Sequence, residues 1–353
     1  MLKHDLHLHT TYSDGVRTPK EVAERALELG LEQIAISDHD SNSGVNEAIE
    51  ASRGSNLEII PSIEVGTTEI IHGKKYTDTE FLGYKSDIER MATFSLPVRK
   101  QRRQFVQDYI DTLNRINREG KLREFNDNLN QFSNDEAQGD AYMIRDGIQT
   151  IKLKDVLEDK FRRRLRDEEA ESLANKVALV SYDFISYALD NFLEHPERLQ
   201  RIHPKRRGYL LKDALVAWTP TSPDEYTLTH EKAIKGILDC NGIPVLAHPA
   251  RNKKFLEKKW MGEKDSSKLN PEEWVKELVR HGLQGIELYF YSGNGFSKEE
   301  EVKANTYFAN LADKYRLITT FGSDCHGQKD DAGELIGKFQ PDYMTERFER
   351  SRL

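Results

Sequence analysis

The chain has 353 residues, of which 37% are hydrophobic and 32% charged, and its formal net charge is −8. No apolar run approaches the roughly 20 residues of a membrane span, and the acidic balance argues against stable binding to duplex nucleic acid. Only two cysteines occur, Cys240 and Cys325, which excludes a disulfide framework and a cysteine-rich zinc site and fits a reducing compartment. Lys3, His4 and Asp5 stand where a signal peptide needs its apolar segment, so we expect a cytoplasmic protein.

Residues 1–94 alternate between strand and helix patterns. Thr18, Pro19 and Glu21 predict the start of a helix, with Thr18 as N-cap, Pro19 at the first position and Glu21 completing a capping box. A hairpin is predicted around a turn at 72–75, and Glu80 falls on its returning strand. The predicted strands cover Lys3–His9, Gln33–Ser37, Leu57–Pro61, Thr68–Ile71 and Tyr76–Tyr84.

The pattern changes at about residue 95. Residues 95–235 are charged and mostly helical, which indicates an inserted helical lid or subdomain. Alternation resumes over 236–330, where helices near 231–240, at 271–281 and at about 297–314 precede three further strands. These strands are predicted at Ile243–Ala247, Gly285–Tyr289 and Leu317–Phe321. Residues 331–353 are expected to form a polar C-terminal tail with at most one helix.

About seven strands, mostly separated by helices, predict an α/β fold built as a parallel barrel. In such barrels the chemistry lies at the carboxyl ends of the strands. Alternation along the first strand directs Asp5, His7 and His9 to one face, and paired imidazoles beside an aspartate suit a divalent metal. Similar side chains lie on or after the other strands, namely Asp14, His39, Glu64, Glu80, His248, Asp324 and His326.

The chemistry of these side chains points to a particular kind of metal centre. Imidazole and carboxylate ligands without thiolate favour Mn²⁺, Fe²⁺ or Zn²⁺. Since one ion needs only roughly four to six ligands, the sequence predicts two to three divalent ions. Adjacent ions are the arrangement used for phosphoester hydrolysis, because together they lower the pKa of a bridging water and neutralise phosphoryl oxygens.

Five motifs, in this order, resemble the PHP (polymerase and histidinol phosphatase) domain family, in particular its stand-alone phosphoesterases. The resemblance covers residues 1–90 and 236–327, and it implies a distorted (β/α)7 barrel with a trinuclear metal centre. The motifs are His4-Asp5-Leu6-His7-Leu8-His9-Thr10 with Tyr12-Ser13-Asp14-Gly15, then Ser37-Asp38-His39-Asp40, Ile63-Glu64, Ala247-His248-Pro249 and Gly322-Ser323-Asp324-Cys325-His326-Gly327.

The family pattern also implies how the ligands are shared. His7, His9, Glu64 and Asp324 would hold the first metal, and Glu64 would bridge to a second metal that His248 also binds. Asp14, His39 and His326 would hold the third.

One position departs from the family. Glu80 precedes Phe81-Leu82-Gly83, where the family usually has a histidine. A carboxylate is a harder, anionic ligand, which favours Mn²⁺ or weakens the site for Zn²⁺.

Three further residues are candidates for roles beside the metals. Arg17 follows the Asp14 loop and Arg251 follows His248, and arginine suits bidentate contacts to phosphate. Asp5 shares the face of His7, so we expect it to orient that imidazole.

Other polar residues leave alternatives open. Asp38 and Asp40 could orient His39 or cap the loop that follows it. His203, in the insert, could reach the substrate, whereas His72 is expected to be a turn residue.

These observations predict a phosphoesterase that hydrolyses small phosphomonoesters, resembling nucleotides or nucleoside bisphosphates, by attack of a metal-bridging hydroxide. An exonuclease that acts on short RNA or DNA ends is the alternative enzyme. An inactive, metal-stabilised binding module is the alternative from another class, and only Glu80 favours it. The sequence gives no signal for the oligomeric state.

Overall fold

The structure, a computed structural model, describes most of the chain in ten pieces. Among these residues no helix is both long enough and apolar enough to cross a membrane. The described residues are 4–71, 74–132, 144–194, 204–219, 228–251, 270–289, 297–327, 336, 344–350 and 353.

The first sheet contains three parallel strands in the order β1 (His4–Leu8), β2 (Gln33–Ile36) and β3 (Glu58–Pro61). Helix α1 (Pro19–Glu28) connects β1 to β2, and α2 (Val45–Ala51) connects β2 to β3. The predicted capping box of α1 is confirmed, because Glu21 N–H donates to Thr18 Oγ1 and Thr18 N–H donates to Glu21.

The second sheet contains five strands, paired in chain order. The first two strands form an antiparallel hairpin, and the third strand pairs antiparallel with the second. The fourth and fifth strands then pair in parallel. The strands are β4 (Glu64–Ile71), β5 (Lys74–Tyr84), β6 (Ile243–Leu246), β7 (Gly285–Tyr289) and β8 (Ile318–Gly322). Glu64, expected at the end of the third strand, instead opens β4, because the chain leaves the β3 register at Ser62 and Ile63.

Single hydrogen bonds join the two sheets at both edges. Beside β1, the His9 N–H donates to the Cys325 carbonyl at 3.0 Å. At the other edge, the Gly83 N–H donates to the Ile63 carbonyl at 2.8 Å, and the Asp40 N–H donates to the Glu64 carbonyl at 2.7 Å. The named strands thus form an α/β arrangement of two sheets linked by isolated bridges, and the expected barrel stays a prediction.

The chain divides into two compact units. One contains residues 1–97 and 227–353, and the other contains residues 98–226. These boundaries lie near the predicted positions 95 and 235. In chain order the remaining helices are α3 (Ile88–Arg118), α4 (Leu122–Phe132), α5 (Leu153–Lys160), α6 (Asp167–Lys176), α7 (Ser181–Phe192), α8 (Pro204–Trp218), α9 (His230–Asp239), α10 (Pro271–His281), α11 (Lys298–Tyr315) and α12 (Thr345–Arg350).

Two apolar residues near the C-terminus are buried, in the segment where the sequence predicted a polar tail. Phe348, in α12, is buried and stacks on the His4 ring with the two centroids 4.2 Å apart. Ile336 is also buried and belongs to the apolar cluster between β1, β2 and α1. These two side chains are therefore buried within the unit of residues 1–97 and 227–353, and the expected C-terminal tail stays a prediction.

Candidate metal centre

The ligand candidates converge although they come from seven separate strands or loops. His7 lies in β1 and His9 just after it, His39 follows β2, and Glu64 opens β4. All are buried or nearly so in the same unit. Glu80 lies in β5, while Asp14, His248, Asp324 and His326 lie in the loops after β1, β6 and β8.

The first cluster joins two imidazoles and two carboxylates, all buried. His7 Nε2 lies 3.1 Å from His9 Nε2 and 3.2 Å from Glu64 Oε2. His9 Nε2 lies 3.3 Å from the same Glu64 oxygen and 3.1 Å from Asp324 Oδ1. Two imidazole nitrogens that face each other among carboxylates need a proton or a cation between them, so the geometry suits a metal ion.

The second cluster uses the other Glu64 oxygen. Glu64 Oε1 lies 3.0 Å from His248 Nε2, and Glu80 Oε2 lies 3.5 Å from the same nitrogen. Glu80 Oε1 lies 3.6 Å from His39 Nδ1. Glu80 therefore occupies the position that the sequence assigned to it, beside Glu64 and His248.

The third cluster surrounds Asp14 in the loop after β1. Asp14 Oδ2 lies 3.2 Å from His326 Nε2 and 3.6 Å from His39 Nε2. Asp14 Oδ1 lies 3.6 Å from His9 Nδ1. His9, His39 and Glu64 each take part in two clusters, so the three form one continuous centre.

Electrostatics within the centre favour charged forms in spite of burial. Burial alone would lower the pKa of His9, but hydrogen bonds to Asp324 and Glu64 raise it to about 9. Burial would raise the pKa of Asp14, yet the His326 and His39 rings hold it well below its ordinary value. Protonated imidazoles thus balance ionised carboxylates, and divalent cations can replace those protons because ligand histidines must be neutral.

Several buried polar atoms in the centre face one another across short distances. Glu64 Oε2 lies 3.0 Å from His39 Nδ1 and 3.2 Å from His7 Nε2. Asp14 Oδ1 lies 3.6 Å from His9 Nδ1. Imidazole nitrogens and carboxylate oxygens that converge in this way are the donor set of a divalent metal, so these residues fit metal ions.

The turns that carry two ligands have unusual backbone conformations. Asp324 has a φ of 52° and His248 a φ of 26°, in the left-handed region that non-glycine residues rarely adopt. Such strain commonly accompanies functional sites, where the surrounding structure holds it.

A buried carboxylate supports the loop after β1. Asp38 accepts hydrogen bonds from Thr10 N–H at 2.7 Å, Thr10 Oγ1 at 2.6 Å and Ser13 Oγ at 2.6 Å. Asp40 Oδ1 accepts from the Gly66 N–H at 3.2 Å. These hydrogen bonds reach the loop after β1 and strand β4, so the two roles considered for the aspartates, orienting His39 or capping the loop that follows it, stay predictions.

The described hydrogen bonds of Asp5 join it to Ser323 and to the His7 backbone. Its carboxylate accepts hydrogen bonds from Ser323 N–H at 2.9 Å and Ser323 Oγ at 2.6 Å, next to Asp324. Its described contact with His7 is a 3.4 Å hydrogen bond from the backbone N–H, and the expectation that Asp5 orients the His7 ring stays a prediction.

Of the two arginines predicted to bind phosphate, the structure describes the side chain of Arg17 but not that of Arg251. Arg17 lies beside the His326 loop, since its backbone carbonyl accepts from Thr11 and its Cγ lies close to Gly327. The Arg251 side chain lies outside the described residues, as do His72 and His203. Their roles stay predictions.

Sequence reasoning missed Glu287, in the middle of β7. Both of its carboxylate oxygens lie near His7 Nδ1, at 3.0 and 3.1 Å, and it is fully buried. The available signal was an acidic residue between Ile286 and Leu288 in an otherwise apolar predicted strand. A buried charge is rarely tolerated unless it is paired.

Several known proteins and solved structures are similar to this chain, and three of the relatives and one of the structures bear on its function and fold. The 5'-3' exoribonuclease of Haemophilus influenzae is 42% identical over 65 residues, which is 18% of this chain and 24% of that protein. The 3',5'-nucleoside bisphosphate phosphatase of Chromobacterium violaceum is 36% identical over 64 residues, covering 18% and 22% of the two chains. The phosphoribosyl 1,2-cyclic phosphate 1,2-diphosphodiesterase of Eggerthella lenta is 25% identical over 328 residues, covering 92% and 94%.

The chain thus spans about a quarter of the first two relatives and nearly all of the third. A candidate metal-dependent phosphoesterase of known structure from Bifidobacterium adolescentis has a TM-score of 0.55 and 21% identity, and covers 98% of this chain and 94% of its own. At that identity the likeness shows a shared fold. A model of the PHP domain matches residues 5–208, which is more than half of the sequence. The chain therefore belongs to the PHP domain family.

Proposed function

We propose that this protein is a phosphoesterase that hydrolyses small phosphorylated substrates with the help of two to three divalent ions. The observation that carries the proposal is the continuity of the three ligand clusters, which share His9, His39 and Glu64. A structural metal site needs one closed set of ligands, whereas ions held side by side by shared ligands are typical of phosphoryl chemistry.

A single barrel that includes both sheets would bring the ligand-bearing strand ends together. Hydrogen bonds link β1 to the residues after β8, and β5 to the segment between β3 and β4. We propose that these links complete a distorted (β/α)7 ring, in which the ligands would lie at the carboxyl ends of the strands. The role of the inserted unit as a lid stays a prediction, and so does the cytoplasmic location.

The residues that would hold the ions follow from the clusters. His7, His9, Glu64 and Asp324 would hold one ion, and Asp14, His39 and His326 another. Glu64, Glu80 and His248 would hold a third, where the extra carboxylate favours Mn²⁺ over Zn²⁺. Bound ions of this kind lower the pKa of coordinated water and neutralise charge on phosphoryl oxygens.

The protein's own side chains would orient the substrate. We propose that Arg17 binds a phosphate of the substrate, since it follows the loop that carries Asp14 and lies near Gly327. A guanidinium offers parallel donors to phosphate oxygens. Arg251 remains a second candidate from its position after His248.

The named activities of the relatives suggest three candidate substrate classes. We propose that the substrates are phosphomonoesters of nucleotide or nucleoside bisphosphate type, in line with the activity for which the Chromobacterium relative is named. A cyclic phosphate diester is the second candidate, because the Eggerthella relative aligns over 92% of the chain. An exoribonuclease is the third candidate, and its likeness covers the same 18% of this chain as that of the phosphatase.

An assay that separates and identifies the reaction products by chromatography, with metal-reconstituted protein, tests the proposal. We expect activity with Mn²⁺ on a 3',5'-nucleoside bisphosphate, a ribose 1,2-cyclic phosphate or a short 5'-phosphorylated oligoribonucleotide, and the preferred substrate decides among the three activities. His9→Ala should abolish activity, because His9 serves two clusters. His281→Ala removes a histidine of α10 outside the centre and should retain it.

Elemental analysis provides the matching test of the centre. We expect at least two ions per wild-type chain and fewer in His9→Ala. A wild-type protein that binds two ions but hydrolyses nothing with Mn²⁺, Fe²⁺ or Zn²⁺ would favour the metal-stabilised binding module. A count of one ion or none would exclude the shared centre.

A further inference from the structure

Glu287 is a buried carboxylate in an apolar strand and forms a further group of potential ligands with His7 and His248. Its oxygens face His7 Nδ1 and the His248 backbone N–H, whereas the Nε2 atoms of both rings face Glu64. Its neighbours in β7, Ile286 and Leu288, are both fully buried. The hydrogen-bond partners of its carboxylate in the described structure are the His7 ring and the His248 backbone. No arginine or lysine among the described residues forms an ion pair with it.

The contact with His7 fixes which ring nitrogen is available to a metal. His7 Nδ1 lies 3.0 Å from Glu287 Oε1 and 3.1 Å from Oε2. Because a carboxylate can only accept, Nδ1 must carry the proton in the neutral ring. The lone pair then lies on Nε2, which points at Glu64 and at the first cluster.

The second contact reaches a ligand of the neighbouring cluster. The His248 backbone N–H donates to Glu287 Oε2 at 3.0 Å. His248 has a φ of 26°, so its turn needs external support. Its ring is nearly parallel to that of His7, with the centroids 5.4 Å apart, and its Nε2 reaches Glu64 Oε1.

A glycine leaves room for this arrangement. Gly322 ends β8, the strand between β7 and β1. A Cβ atom at this position would lie 2.2 Å from His7 Cβ and 2.8 Å from Glu287 Oε1. Since β8 carries no side chain there, residues of β7 and β1 can meet across it.

We propose that Glu287 is a positioning residue that holds His7 and His248, one ligand in each of two adjacent metal clusters, and so links the ion affinities of those two clusters. The third cluster, around Asp14, shares no hydrogen bond with Glu287 and should be independent of it. This inference rests on the proposed metal centre. Partners in the outer shell of a metal site typically contribute about 10–100-fold to metal affinity.

The test is a titration of metal-depleted protein with Mn²⁺, followed by calorimetry, for the wild type and Glu287→Gln. The glutamine is uncharged, and it replaces one acceptor oxygen with an NH2 donor that would face the protonated His7 Nδ1, so the contacts with His7 and His248 should weaken. We expect affinity to fall about 10–100-fold for two ions and to stay unchanged for the ion at Asp14. The visible absorption of Co²⁺-loaded protein should change as well, because it reports ligand geometry.

Tyr84→Phe is the matched control for a purely structural loss. Tyr84 Oη donates a buried hydrogen bond to the Leu6 carbonyl at 2.8 Å, in the same interior but without touching an imidazole. We expect a lower melting temperature for this variant with wild-type Mn²⁺ affinities. If Glu287→Gln behaves in the same way, the positioning role is refuted while the metal centre stands.

A measurement on the wild type covers the case in which Glu287→Gln fails to fold. In Zn²⁺-loaded protein labelled with ¹⁵N-histidine, long-range ¹H–¹⁵N spectra report the protonated nitrogen of each ring. We expect His7 to carry its proton on Nδ1, and a proton on Nε2 would overturn the inference. A wild type that binds fewer than two ions would instead refute the proposed centre, and this inference with it.

Discussion

His230 gives the sharpest test of the electrostatics outside the metal centre. It opens α9, next to the N-cap Thr229, and only 4% of its surface is exposed. Its ring packs edge-on against Phe81 at 5.6 Å and near Trp274 at 6.1 Å, and its Nε2 has no hydrogen-bond partner in the described structure. Burial, with a smaller contribution from His281, lowers the pKa of His230 to about 4.

The size and sign of the effect follow from linkage. In the unfolded chain a histidine has a pKa of about 6.5, so between pH 6.5 and 4 the unfolded state binds the extra proton. Stability is therefore complete above pH 6.5 and is lost as the pH falls towards 4. The full loss is about 3 kcal/mol, and between pH 7.5 and 5.0 it is about 2 kcal/mol, or about 30-fold in the unfolding equilibrium.

Urea unfolding at pH 7.5 and pH 5.0 measures this loss when wild type is compared with His230→Leu. The leucine does not titrate, so the difference in unfolding free energy between the two proteins should change by about 2 kcal/mol between the two pH values. Metal-depleted samples keep ion binding out of the comparison. His281→Gln, on α10, is the control and should retain most of the pH dependence. A difference that is the same at both pH values would refute the reasoning.

Three further predictions concern the centre and its loops. Glu80→His should raise the affinity for Zn²⁺ relative to Mn²⁺ at the second cluster, as measured by competition between the two ions. Gly15→Ala should lower the melting temperature and the affinity for the ion at the third cluster, because the new Cβ would lie 2.5 Å from the backbone of His9 and Thr10. Asp38→Asn should cost about 1–3 kcal/mol in urea unfolding, since its amide group faces hydroxyl and N–H donors.

Local sequence was enough to predict most elements near the centre. The cap residues Thr18 and Ser297 stand directly before α1 and α11, and both form capping boxes. Such signals depend on neighbours within one turn of helix. The start of β4 at Glu64 was harder to predict, because the shift from β3 to β4 depends on hydrogen bonds to Asp38 and Asp40 in the loop after β2.

The ligand candidates were readable for a related reason. Each is a polar residue on or directly after a predicted strand, and parallel strands bring their carboxyl ends to one edge of a sheet. His9 and Asp324 could therefore be grouped without knowing the order of the strands. Their exact partners depend on which strands are neighbours, and sequence periodicity does not supply that information.

Asp5 and Glu287 show where this reasoning stops. Alternation correctly predicts that Asp5 and His7 share a face, but residues two apart in a strand are separated by roughly 6.5 Å along it. Asp5 therefore reaches sideways to Ser323, and the His7 ring takes a partner from β7. That partner lies across β8, where Gly322 provides the space. An acidic residue in an apolar strand predicts a buried partner, but only the order of the strands around β1 identifies that partner as His7.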